Sequence, residues 1–194
     1  MKKHTIYTIQ YRRRREGRTN YKSRLRLLLS RKPRLVARLS SKNTLAQLVN
    51  YEAKGDKIIA AANSKQLAKL GWKANPGNLS AAYLVGMLLA RKALKAKLKE
   101  AVFDIGIQSS VKGSRLYAML KGALDGGLDI NHSEDILPGK ERIAGKHIAD
   151  YAKLIKTKDP EKYKKCFSLY LKNGLNPEEL TQHFEMIKKK IEAI

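Results

Sequence analysis

The chain has 194 residues, 43% of them apolar, which suits one domain of ordinary size with a real core and excludes global disorder. Its formal charge of +24, from 41 Lys and Arg against 17 Asp and Glu, would make the isolated protein repel itself unless a polyanion neutralises it. One cysteine, Cys166, rules out an internal disulfide and fits a reducing compartment.

No run approaches the roughly 18 apolar residues of a membrane span, and the basic N-terminus is followed by no apolar core of a secretory signal. A mitochondrial presequence would also be Arg-rich, but the tyrosines and "TNY" fit one poorly, so the expected setting is cytoplasmic. Binding to an anionic membrane surface would need an amphipathic basic helix, which "RRRREGRTNY" does not supply.

Residues 1–33 read as a basic arm. Thirteen basic residues and a single acid, Glu16, fall within residues 1–34. Ten of the thirteen arginines lie at or before Arg38, whereas most lysines come later. Arginine's planar, permanently charged fork grips phosphate with two prongs and stacks on bases, while lysine is a point charge. Solubility alone would not sort the two. Tyr7, Tyr11 and Tyr21 are interleaved with the arginines and offer faces on which unpaired bases can stack. The arm is expected to be extended, with one or two helical turns at "RLRLLLS" and a stop at Pro33.

A core of strands and helices is expected next, over 34–130. "RLVARLS" (34–40) alternates Leu35, Ala37 and Leu39 with Arg34, Val36 and Arg38, the period of a strand. "TLAQLVNYE" (44–52) and "KIIAAANS" (57–64) follow after short turns, so the three form an antiparallel meander. A long helix is expected from about Ser80 to Lys99, capped by Asn78 and buried through its first half. "AVFDIG" (101–106) reads as a short strand, parallel to an earlier one through a crossover. A helix then carries Leu116, Met119, Leu120, Ala123 and Leu124 on one stripe and ends at Gly126–Gly127.

Residues 131–194 are expected to form a C-terminal helical extension. One helix runs from about Glu141 to Lys156. Another is capped by Asp159 and stopped by Gly174, and a third opens at Asn176 and Pro177. The fold class is therefore α/β: a mixed sheet, made of a three-stranded antiparallel meander plus a parallel crossover strand, with packed helices.

Chemistry is sought and mostly not found. "GIQSSVKGSR" misses the phosphate-cradling P-loop because Lys112 precedes Gly113. A strand, a glycine turn and a helix start flanked by Lys112 and Arg115 still suit an anion; a plain strand-to-helix turn capped by Ser114 is the alternative, and on so basic a chain the segment reads as a phosphate contact. The histidines His4, His132, His147 and His183 show no metal-ligand spacing. His147 is expected in a core or interface, His183 on a helix surface and Cys166 as a buried thiol. A metal-dependent nuclease on a ribonuclease-H-like sheet is the alternative reading, since Asp104 occupies a strand. It lacks the several convergent carboxylates that two-metal chemistry needs. No catalytic residue, metal or cofactor is assigned.

The stretch "YRRRREGRTNYKSRLRLLLSRKPRLVARLSSKNTLAQLV", with "NPGNLSAAYLVG", "AVFDIG", "KGSRLYAMLKGALDGGLDINHSEDILP" and "RIAGKHIA", closely resembles the family of 5S-rRNA-binding proteins of the large ribosomal subunit, universal protein eighteen, in its archaeal and eukaryotic form. The resemblance spans nearly the whole chain, while bacterial members share only the part up to about Ile130. It implies a non-catalytic sheet fold of the translation-protein kind and a place in the central protuberance bridging 5S rRNA to the large-subunit rRNA. It also implies a neighbouring 5S-binding ribosomal protein as partner.

The RNA-binding residues expected from charge, position and resemblance are Tyr11, Arg12, Arg13, Arg14, Arg15, Arg18, Tyr21, Arg24, Arg26, Arg31 and Arg38, then the turn residues Ser41, Lys42 and Asn43, and the loop residues Lys112, Gly113, Ser114 and Arg115. Arm, turn and loop are expected to share one surface, with Lys153, Lys156 and Lys188 to Lys190 outside it.

Overall fold

The computed structural model describes residues 8–194, so Tyr7 and His4 lie outside the described residues. The arm forms α1 (Arg12–Arg15) and α2 (Tyr21–Leu28). The helical end expected at "RLRLLLS" lies in α2, which begins earlier, at Tyr21, while α1 corrects the expectation of an extended stretch before it. α1 is a single turn, and the Asn20 side chain accepts from the Ser23 amide at 3.1 Å to open α2.

The sheet follows as β1 (Arg34–Leu39), β2 (Thr44–Asn50) and β3 (Lys57–Asn63). After α3 (Ser64–Lys69) and α4 (Leu79–Lys95) comes β4 (Val102–Asp104). The strand order is β3-β2-β1-β4. β1 pairs antiparallel with β2, setting Leu35 opposite Leu48, and parallel with β4, setting Val36 opposite Asp104. The expected meander and crossover strand are both present. α3 was not foreseen, because six residues give too little period; its signal is Asn63, whose side chain accepts from the Lys65 amide at 3.0 Å.

One sheet face, carrying Leu35, Ala37, Ala46, Leu48, Ala60 and Ala62, is buried under α4. As the apolar sequence required, α4 is covered nearly all round: the sheet lies on one side, and α5 (Arg115–Asp125) and α10 (Leu180–Glu192) pack on others. The α4–α5 crossing is set by two glycines. A Cβ at Gly86 would fall 2.0 Å from the Met119 carbonyl oxygen, and one at Gly122 would fall 2.0 Å from that of Tyr83. The two backbones touch, and no side chain fits between them. α4 ends at Lys95 rather than Lys99, because Lys97 turns left-handed (φ 59°) and the Leu98 amide returns to the Ala93 carbonyl.

The C-terminal helices are more broken than their sequence suggested. The expected helix 141–156 divides at Gly145 into α6 (Lys140–Ala144) and α7 (Lys146–Lys158). Gly145 has φ 82°, and a Cβ there would meet Leu180 at 2.7 Å, so long-range packing imposes the break. The next segment divides at Phe167 into α8 (Pro160–Cys166) and α9 (Ser168–Lys172), with Asp159 capping as expected by accepting from the Lys162 amide. Residues Pro177–Glu179 form a 3-10 turn before α10.

Three expected environments are corrected. Cys166 is exposed, since the apolar face of α8 is carried by Tyr163 instead. His147 is exposed too, because Ala149, Ala152 and Ile155 form the buried stripe of α7. His183 is buried: it stacks on Trp72 with ring centroids 5.1 Å apart, and its Nε2 accepts from the Lys73 amide at 3.1 Å.

Two stability predictions follow from this packing. Gly122→Ala should cost at least about 2 kcal/mol of unfolding free energy by urea titration, because rigid backbone meets the new methyl. Burial, then Lys73 and Lys190, hold the His183 imidazole below its ordinary value of 6.5. The unfolded chain therefore takes up the proton first, so the His183 contribution is complete above about pH 6.5 and is lost as pH falls further. His183→Gln should flatten that decline in urea midpoints measured between about pH 8 and pH 5.5.

Candidate nucleic-acid interface

The outer face of the sheet carries Arg34, Val36, Gln47, Val49 and Ile58, and the arm lies over part of it. Val36 and Val49 are buried there, although the alternation of β1 left Val36 on the partly basic side. What holds the arm is polar. The Arg24 guanidinium donates to Asp56 at 2.8 Å, and Lys32 pairs with Glu100 at 2.6 Å, while neither arm helix buries a residue fully.

Beneath that contact sits a buried ion cluster. Arg34 is only 4% exposed and donates to Asp104 Oδ2 and to Asp56 Oδ2, each at 2.7 Å. The other Asp104 oxygen accepts from the Gly106 amide at 2.8 Å. Two charges removed from water at this depth are tolerable only because each carboxylate is matched by donors in good geometry. Sequence reasoning weighed Asp104 as a metal-binding acid. Its oxygens are instead committed to Arg34 and to the loop backbone. Arg34 and Asp56 were missed as a pair because 22 residues separate them and only the strand register brings them together.

Arg12 to Arg15 are all exposed around one turn. Arg12 and Arg18 flank Glu16 at 3.5 and 3.1 Å, pairs exposed enough to add little stability. Arg13 Nε donates to Thr19 Oγ1 at 2.9 Å, and Arg14 and Arg15 have no carboxylate partner among the described residues. Tyr11 and Tyr21 lie with centroids 5.2 Å apart, Tyr11 largely exposed. Arg26 and Arg31 are exposed, the latter at a left-handed φ of 55°. Arg24 differs from the others, because its charge is used on Asp56.

Arg38, exposed at the far end of β1, lies against Gly106: a Cβ on that glycine would come within 2.5 Å of the guanidinium. The β1–β2 turn and the loop before α5 do meet. Arg115 donates to the Ser40 carbonyl at 3.1 Å and to that of Gly77 at 2.7 Å. Ser41 and Lys42 are exposed on the turn, whereas the Asn43 side chain accepts from Ser64 Oγ at 3.3 Å. In the loop Lys112 is exposed and Gly113 adopts φ 67°, a conformation suited to glycine. Ser114 occupies the cap position of α5 without making a side-chain cap bond, contrary to expectation; its hydroxyl is buried with no partner among the described residues. In α7, Lys156 pairs with Glu178 at 3.0 Å.

Comparisons with known proteins show the family of the chain. The family model described as ribosomal large subunit proteins 60S L5 and 50S L18 matches residues 5–102 and 95–133. The chain belongs to this family. It is also 51% identical over 185 residues, 95% of both chains, to large ribosomal subunit protein uL18 of Methanococcus maripaludis. A family of structural ribosomal proteins accounts for a basic surface with no catalytic centre assigned to it. The chain is accordingly a non-enzymatic constituent of the large ribosomal subunit, with ribosomal RNA and ribosomal proteins around it.

The ion cluster predicts the cost of breaking it. Asp104→Ala leaves Arg34 buried beside a single, partly exposed carboxylate. It should lower stability by about 3 kcal/mol or more, read from denaturant unfolding.

Proposed function

We propose that this protein binds 5S rRNA through the arginine arm and attaches it to the large-subunit rRNA in the central protuberance, next to another 5S-binding ribosomal protein. The observation that carries the reading is the exposed turn Arg12–Arg15, followed by α2, which Arg24 and Asp56 tie to the sheet. Charges presented on a fixed turn can meet several phosphates together, which a freely moving tail does at greater entropic cost. Tyr11 beside the turn supplies a face for an unpaired base.

The rest of the surface extends from this turn. Arg38 against Gly106, the exposed Ser41 and Lys42, and Lys112 with Gly113 line up from the sheet to the α5 loop. Arg26 and Arg31 widen the arm side. In this reading Arg24, Asn43, Ser114 and Arg115 shape the surface more than they touch RNA, because their polar groups are engaged or buried within the protein. The lysines of α7 and α10 lie outside it.

Replacing Arg12 to Arg15 together with alanine tests the proposal. Binding of transcribed 5S rRNA should weaken, and the slope of log affinity against log salt should fall by roughly 3 to 4 if each arginine neutralises one phosphate. Unchanged affinity and slope would make the arm a solvated tail.

A further inference from the structure

Between the arm and the outer face of the sheet lies a cavity of about 300 Å³. Its floor is apolar, formed by Val36, Val49 and Ile58, with Gln47 set among them. Ile58 is 53% exposed, although it sits at the foot of an arginine cluster. The Gln47 side-chain amide, half-buried in the same floor, makes no hydrogen bond among the described residues. Arg13, Arg18 and Arg38 line the cavity, together with Asp56 and Asp104 and the two arginines paired with them, Arg24 and Arg34.

A phosphate is a poor occupant of this space. It would shed its water against an apolar floor and face two carboxylates, and the arginine nearest them, Arg34, is already bound to both. A nucleobase matches the cavity at each point. It is planar and uncharged, with apolar faces for Val49 and Ile58 and a polar edge for an amide that both donates and accepts. A guanidinium can cover its other face.

We infer that this cavity receives one unpaired nucleobase of the bound RNA, its face on Val49 and Ile58 and its edge at Gln47, while Arg12 to Arg15 hold neighbouring phosphates. This rests on the RNA-binding reading above and adds a base-reading site beneath the arm to a surface whose arginines hold backbone phosphates.

The test uses the full chain and transcribed 5S rRNA, with dimethyl sulfate and carbodiimide probing of unpaired base edges. Wild-type protein should protect a small set of unpaired bases. Gln47→Leu should re-expose one of them and weaken binding roughly tenfold, as the loss of a paired edge contact does. Ile58→Asp, a change at an exposed position that leaves the core intact, should re-expose the same base. Wild-type affinity and an unchanged protection pattern in both variants would overturn the base site and leave the arm's role standing. If wild-type protein fails to bind 5S rRNA at all, the RNA reading itself falls and this inference with it.

Discussion

The guanidinium of Arg34 joins parts of the molecule that lie far apart along the chain. It starts β1, reaches Asp104 at the end of β4 and Asp56 just before β3, and through Asp56 it is linked to Arg24 of the arm. Both edges of the sheet and the N-terminal arm thus meet at one buried charge. Such a cluster adds little net stability over an apolar one, since desolvation consumes most of the attraction. Its value is geometric. Arginine's fork fixes two carboxylates at once, so the base of the arm has a defined position while its remaining arginines point outward.

The layers behind the sheet serve the same surface from the other side. Backbone contact at Gly86 and Gly122 brings α5 as close to α4 as helices can come. That places the start of α5 beside the β1–β2 turn, where Arg115 spans the Ser40 and Gly77 carbonyls. The C-terminal helices extend this core rather than forming one of their own: Phe184 packs on Tyr83 of α4 with centroids 5.5 Å apart, and Leu180 fills the space that Gly145 leaves open. Where they carry charge near the core it is partly balanced, as at Lys156 and Glu178. The result is a molecule whose exposed arginines without a carboxylate partner among the described residues lie mostly in the arm, Arg14, Arg15, Arg26 and Arg31 among them, with Arg38 at the far end of β1.

That distribution suits a ribosomal constituent. A net charge of +24 is costly for an isolated chain and favourable against RNA, where each neutralised phosphate releases a counterion. Counterion release is indifferent to base sequence, so a protein that must hold one RNA in one orientation needs contacts of another kind. The tilted Tyr11–Tyr21 pair and the apolar, amide-bearing face beneath the arm are the features here that phosphate neutralisation alone does not explain.

Much of this was legible in the residues. Strand alternation in 34–40, the turn at Ser40–Asn43, the Asn78 cap and the all-round apolar first half of α4 follow from local periodicity and capping, which act within a few residues. The same holds for the separation of arginine from lysine and for the quoted strings that carried the family resemblance. What the sequence could not show depends on distance along the chain. Arg34 and Asp104 are 70 residues apart, and only the parallel register of β1 and β4 makes them partners. The break at Gly145 answers to Leu180, the burial of His183 to Trp72, and the exposure of Cys166 to the way α8 turns Tyr163 inward. Local rules select the elements and the charged face. Which polar groups are consumed inside the fold, and which remain for RNA, is decided only when tertiary packing sets each one beside or away from a partner.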